Sequence, residues 1–334
     1  MIICRTPFRI SLFGGGSDYP SWYRQHGGCV LGMAINKYCY ISVRQLPPFF
    51  EHQHRIVHSK IELVKEIDEI EHPVVRASLQ VMQPDMGLEI HHDGDLPARS
   101  GLGSSSSFTV GIINALNVFQ GLELTKLQLS NAAIDMEQNV IKEHVGSQDQ
   151  VWAATGGMNR IDFKQSGNID VRPLNVEAER RKELTGNLML FFTGLSRFAS
   201  LIAEKKIANL SKRQAHVFKM MEMVDEAENI LASASRPLSE IGHLLDEFWQ
   251  LKKGLVDVVS TPEIDSIYET AIDAGAVGGK LLGAGGGGFM IFYVEPENQE
   301  NFKKKLSHLI HVPFDVDDEG SKIIINKSVW PGRN

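Results

Sequence analysis

The segment Pro97-Ala-Arg-Ser-Gly-Leu-Gly-Ser-Ser-Ser-Ser107 puts five serines and two glycines directly ahead of an apolar stripe of helical period. Glycine lets a backbone come close to a ligand, and the free N–H groups and dipole of a helix start favour an anion there. Serine hydroxyls add donors for phosphate oxygens and can also ligate Mg2+. A helix cap needs only one such serine, so the run is read as a phosphate cradle, with a capped glycine-rich turn as the plainer alternative. The P-loop pattern GxxxxGK[ST] occurs nowhere in the chain, which argues against the nucleotide hydrolases built on it.

A second run, Lys280-Leu-Leu-Gly-Ala-Gly-Gly-Gly-Gly-Phe289, contains GxGxxG at Gly283, Gly285 and Gly288. A dinucleotide fingerprint must open a helix, whereas this run leads into a strand-like stretch, so that reading fails on context. The glycines either bring backbone against a nucleotide or the first loop, or form a flexible turn between a helix and an edge strand. Near the N-terminus, Arg9 and Asp18 bracket a bend of three glycines, Gly14 to Gly16. A ligand or a surface salt bridge beside a tight turn explains those residues equally. Further on, Glu137 stands at the edge of the stripe Leu129, Ala133, Met136, Val140. Directed inward, it needs a cation or a salt-bridge partner. Asp149, in Gly146-Ser-Gln-Asp-Gln150, falls at a loop-to-helix junction, as a reacting group or as a first-turn cap.

Several elements must position these groups. Strands are expected over 8–13, 29–34, 38–46, 55–59 and 87–92, with a helix over 74–82. A helix beginning near 106 carries Phe108, Ile112, Ala115, Leu116 and Phe119 on one stripe and stops at Gly121. Another spans 125–142. Strands follow over 158–163 and 187–193, then a long helical region over 201–255 broken around 233–237, a helix over 262–274, a strand over 289–294, a helix over 299–309 and a strand over 322–325. Strands and helices without regular βαβ alternation imply an α+β fold. At 334 residues two domains are expected, divided in the charged stretch 175–182, as 1–178 and 179–334.

Composition narrows the partners. With 34 Lys and Arg against 41 Asp and Glu, the net charge of −7 gives no general attraction to nucleic acid or anionic lipid. Apolar runs far shorter than the roughly 20 residues of a membrane span, and an N-terminus without a signal pattern, point to a soluble, cytoplasmic protein. The 3 cysteines, unpaired in spacing, read as free thiols, and the 12 histidines lack metal-site spacing.

With these residues assembled, the chain resembles the GHMP kinases. The stretch from Thr6-Pro-Phe-Arg9 to Ser17-Asp-Tyr19 is similar to the family's first motif, residues 97–107 to its phosphate-binding second motif, and residues 280–289 to its third. Phe8-Arg-Ile-Ser-Leu-Phe-Gly-Gly-Gly-Ser-Asp18, Gly101-Leu-Gly-Ser-Ser-Ser-Ser-Phe-Thr-Val110 and Gly146-Ser-Gln-Asp-Gln150 are most similar to the branch that acts on D-glycero-D-manno-heptose 7-phosphate; the L-fucokinases share much of this wording. Arg99 departs from the branch, which more often has a small residue there. The resemblance implies an N-terminal half like ribosomal protein S5 domain 2, a ferredoxin-like C-terminal half, and ATP and Mg2+ between them. It implies Asp149 as catalytic base, Arg9 as the cation near the transferred phosphoryl group, and Glu137 and Ser105 as Mg2+ ligands. Gly101, Gly103, Ser104, Ser105 and Ser106 would contact ATP, supported by Gly285 and Gly286. Asp18 would bind a sugar hydroxyl. A phosphorylated acceptor also demands a cation, for which Arg197 is favoured over Arg99, Arg44 and Lys37. The implied activity is transfer from ATP to the anomeric hydroxyl of the heptose 7-phosphate. A fucose or galactose kinase, or a sensor on the same fold that binds without chemistry, are the alternatives.

Overall fold

The computed structural model describes residues 1–98, 100–195, 204, 207, 209–210, 212–255 and 258–327. The fold is the α+β arrangement expected, with strands gathered into two sheets. Strand β1 (Ile2–Phe13) runs antiparallel to β2 (Gly28–Gln45), an 18-residue strand. The two strands expected over 29–34 and 38–46 are therefore one, because Pro7 lies at a register shift that lets the pairing pass Asn36 and Lys37. One half of β2 pairs with β6 (Met158–Phe163), the other with β5 (Leu88–Gly94). Beyond β5 come β3 (His54–Val57) and then the edge strand β4 (Ile61–Val64), and beyond β6 comes β7 (Ile169–Pro173).

Short helices α1 (Pro20–His26) and α2 (Pro73–Met82) flank this sheet, and α3 (Ser104–Phe119) lies on it. Close approach of α3 depends on Gly111, where a methyl carbon would stand 3.0 Å from Thr6 Oγ1 and 3.1 Å from Ile41 Cγ1. The helix expected over 125–142 is shorter. It runs as α4 (Lys126–Asp135), capped by Thr125, and ends in a π turn over Met136–Val140. Helix α5 (Gln148–Thr155) packs its Trp152 fully into the core.

The second sheet has the order β11–β8–β10–β9: β8 (Leu188–Phe192), β9 (Ala276–Leu281), β10 (Phe289–Val294) and β11 (Ile310–Val312). Between β7 and β8, α6 (Ala178–Asn187) occupies the stretch expected to be irregular. It buries only Leu184 and Asn187, so its apolar period is faint; Arg180 instead donates to Ile230 O and Leu231 O at the end of α7 (Gln214–Ala232). Helix α8 (Ser239–Lys253) presses on β9 glycine to glycine, since a methyl carbon at Gly278 would stand 2.0 Å from Gly242 O. Helices α9 (Pro262–Asp273) and α10 (Gln299–Lys305) follow.

The sheets are tied at the end of β1. Phe13 meets Phe248 edge-on at 5.7 Å, and the buried Lys280 ammonium donates to Leu12 O at 2.5 Å while lying 4.1 Å over the Phe248 ring. The last strand, β12 (Lys322–Asn326), pairs with β1, so the tail of the expected C-terminal half supplies an edge of the first sheet. All 3 cysteines are buried and free. Among the described residues no helix is long and apolar enough to cross a membrane.

Candidate active site

Arg9 organises the site. It points from β1 with its side chain 6% exposed, and its Nε and Nη2 donate to Asp149 Oδ1 and Oδ2, both at 2.6 Å. Its Nη1 donates to Gly101 O at 2.6 Å, and its backbone N–H to Leu102 O at 3.0 Å. One residue thus binds the carboxylate and the glycine–serine loop together. Asp149 is in the first turn of α5 but does not cap it, nor does the Ser147 side chain at the N-cap position; both Asp149 oxygens go to the guanidinium. The planar fork fixes the carboxylate's plane and direction. A side-chain exposure of 23% leaves Asp149 open to an incoming group.

The loop is shaped by backbone contact. Gly101 and Gly103 hold φ of +87° and +75° before α3 begins at Ser104. A methyl carbon at Gly101 would stand 2.7 Å from Leu282 O, and one at Gly283 2.5 Å from Gly101 Cα. Phe289 N–H donates to Ser100 O at 3.1 Å. The second glycine run is therefore a hairpin between β9 and β10 packed against the first loop, neither a dinucleotide turn nor a link from a helix to an edge strand. Within it Gly285 and Gly286 turn onto Val259, Gly286 N–H donating to Val259 O at 2.9 Å. Buried Lys252 braces the hairpin through Leu281 O at 2.7 Å and Gly283 O at 2.8 Å.

The first turn of α3 holds no acidic residue and no side-chain cap. Ser104 is half-buried and Ser105 exposed, whereas Ser106 and Ser107 turn inward. Ser106 Oγ donates to Glu137 Oε2 at 2.9 Å, and Ser107 Oγ to Pro7 O at 2.8 Å. The hydroxyl that meets Glu137 is thus Ser106's rather than Ser105's.

Glu137 lies in the π turn with no exposed surface. Gln150 Nε2 also donates to its Oε2 and the Thr109 hydroxyl stands beside the carboxylate, while Oε1 is buried without a well-formed hydrogen bond among the described residues. Burial pushes its carboxyl up to about 7, against the hydrogen bonds that favour the charged form. Of the two expected solutions, the salt bridge is not made: among the described residues no cationic side chain pairs with Glu137, whose neighbours are Ser106, Thr109, Gln150 and Glu143. An orphaned carboxylate oxygen beneath the start of α3 fits a hard cation. Among the described residues no group of three His, Cys, Asp or Glu could hold one alone, so its other ligands would be ligand oxygens or water.

Asp18 faces the same site. Its Oδ1 accepts from Gly16 N–H at 2.9 Å and its Oδ2 from Gln148 Nε2 at 2.8 Å. Only glycine fits at 146, where a methyl carbon would stand 1.8 Å from Asp18 Oδ2. Burial, then the Asp18 and Asp149 carboxylates, push the Tyr19 phenol up and keep it neutral. The structure thus gathers Arg9, Asp18, Gly101, Gly103, Ser106, Glu137 and Asp149. Arg197 and Arg99 lie outside the described residues, and Arg44 pairs with Glu89. Sequence reasoning assigned no role to Gln148, Gln150 or Lys252. The two glutamines flank Asp149 in one helical turn, which was the available signal.

Residues 62–157 match the family model of the GHMP kinases N terminal domain, and residues 223–311 that of the GHMP kinases C terminal. A D-glycero-alpha-D-manno-heptose 7-phosphate kinase of Campylobacter jejuni is 29% identical over 321 residues, 90% of this chain and 92% of that one. A galactokinase of Thermococcus kodakarensis is 25% identical over 339 residues, 91% of this chain and 92% of that one. Among solved structures, a D-glycero-D-manno-heptose 1-phosphate kinase of Bacteroides thetaiotaomicron shares the fold with a TM-score of 0.80, over 98% of this chain and 100% of that one at 24% identity.

Proposed function

The chain belongs to the GHMP kinases and is a sugar kinase of that family, an ATP-using phosphotransferase acting on an alcohol group; from that premise we propose that its acceptor is the anomeric hydroxyl of D-glycero-D-manno-heptose 7-phosphate, giving the 1,7-bisphosphate. The observation that carries the reading is the Arg9 fork on Asp149, set against the loop that opens α3. A methyl carbon at Gly103 would come within 3.3 Å of Asp149 Oδ2, so the carboxylate borders the place where a phosphate chain would lie on the helix start.

In this mechanism Asp149 takes the proton of the attacking hydroxyl as its oxygen bonds to the γ-phosphorus and ADP leaves. Arg9 holds the base in line and offers positive charge to the migrating group. The amides of Gly103 and Ser104, with the Ser104 and Ser105 hydroxyls, bind the phosphates; Gly285 and Gly286 support the loop from behind. Mg2+ held at Glu137, with Ser106 or Ser105 beside it, would neutralise charge on the phosphates when bound. Asp18 accepts from a sugar hydroxyl, and Arg197 is assigned to the acceptor's own phosphate. The chain divides near residue 178 into a unit carrying the loop and the base and a unit carrying the glycine hairpin, with the tail through β12 returning to the first, and works in the cytoplasm. The likeness to galactokinase makes an unphosphorylated hexose the second choice of acceptor.

The test is ADP release with ATP and Mg2+ over heptose 7-phosphates, fucose, galactose, mevalonate and homoserine. Selective turnover of the heptose phosphate is expected. Preference for an unphosphorylated hexose would move the acceptor, and no turnover of any sugar would remove the kinase reading.

A further inference from the structure

Gln148 stands between the Gly14 to Gly16 bend and Asp149, 9% exposed, with one half of its amide in use. A carboxylate can only accept, so the group within 2.8 Å of Asp18 Oδ2 must be the NH2, and the direction of the carbonyl follows. That carbonyl, Oε1, is buried and has no hydrogen-bond partner among the described residues. A methyl carbon at Gly15 would stand 3.8 Å from Gln148 Nε2 and 3.8 Å from Ser11 Oγ, so small residues border the amide on that side.

We propose that the Gln148 carbonyl accepts a hydrogen bond from a second hydroxyl of the acceptor sugar, next to the one whose proton passes to Asp149. The inference rests on the kinase reading above and deepens it. The neighbours restrict the chemistry of the incoming group: Asp149 is neutralised by Arg9, but Asp18 is a carboxylate and Oε1 an acceptor, so a carboxylate or phosphate beside Gln148 is disfavoured while a neutral donor is welcomed. The site selects a polyol with adjacent hydroxyls over a lone alcohol. Gln150 Oε1 is also without a partner among the described residues, but Gln150 is fully buried and bonded to Glu137, away from Asp18.

The test uses the full chain and whichever sugar it turns over, with a series of its monodeoxy analogues, comparing the wild type with Gln148→Met and Gln148→Leu. Loss of the hydrogen bond should lower kcat/KM for the sugar about tenfold and leave KM for ATP unchanged. One monodeoxy analogue should be disfavoured about tenfold by the wild type and no further by either variant. An equal penalty across every analogue would mean that Gln148 acts only by steadying Asp18, and no penalty would remove it from recognition; either result overturns the proposal in an active enzyme. A wild type that turns over no sugar would instead sink the kinase reading and this inference with it.

Discussion

Replacing Asp149 by asparagine separates what the Arg9 pair does for the fold from what it does for the reaction. In the native protein two guanidinium N–H groups are directed at Asp149 and a third at Gly101 O. Asparagine keeps one acceptor oxygen and turns an NH2 toward the other N–H, leaving a cation 6% exposed without its counter-charge. Removing one partner of a buried pair costs about 3–5 kcal/mol, whereas exposed pairs contribute about 0–1. Asp149 is 23% exposed, so water reaches the gap, and the cost should be about 2 kcal/mol, or a melting point lower by about 4 °C. A fold stable by about 5–15 kcal/mol remains almost wholly native after that loss. Loss of a positioned base removes about 10²–10⁴ of the rate. Turnover in saturating ATP and sugar should therefore fall at least about a hundredfold in protein that still melts cooperatively. A variant that melts lower but turns over within about tenfold of the wild type would refute Asp149 as the base and leave the pair a structural one.

Three further substitutions probe the surroundings. Gly103→Ala places a side chain at φ +75° and 3.1 Å from Arg9 Cγ; a strain of about 1–2 kcal/mol should lower kcat at least tenfold, and an unchanged kcat would show that the pair has room to move. Glu137→Gln should abolish the rise in melting temperature that Mg2+ and a non-hydrolysable nucleotide give the wild type, while an undiminished rise would place the cation elsewhere. His72 packs on Phe108 with the His58 ring at 5.2 Å, and burial, then His58 and against it Glu62, brings its pKa down to about 4. The unfolded chain then protonates first, so stability should fall as pH drops from about 6.5 through about 4, by about 2 kcal/mol after allowing for partial exposure. His72→Gln should flatten that part of a urea-denaturation pH profile, and an unchanged profile would rule His72 out as its source.

What the sequence disclosed about the site follows from how each residue announces itself. The glycines at 101 and 103 were legible because a tightly approached backbone admits nothing larger, and what approaches them in the structure is the glycine hairpin at 101 and the Arg9–Asp149 pair at 103. Glu137 was legible as an inward carboxylate, but the π turn that carries it has no local signature, so which serine it meets was not: slippage of the period after Asp135 decides that Ser106 rather than Ser105 reaches Oε2. The hairpin character of the second glycine run was hidden by β9, whose Gly278 and Gly279 lack the side chains from which a strand is recognised. Gly278 answers to Gly242 on α8 and Gly279 to the Phe292 ring on β10, contacts no local pattern encodes. Lys252 and Gln148 escaped for a related reason. Each is polar on a helix and reads as solvated, yet each is buried against groups brought in from other parts of the chain: the carbonyls of Leu281 and Gly283 for Lys252, the carboxylate of Asp18 for Gln148. Residues that touch the expected ligands could be found from spacing, because ligand chemistry constrains residue type locally. Residues that hold those groups in place could not, because their constraint is the tertiary fold. The orphaned oxygens of Glu137 and Gln148 belong to both kinds, which makes them the sharpest tests of what this site was built to bind.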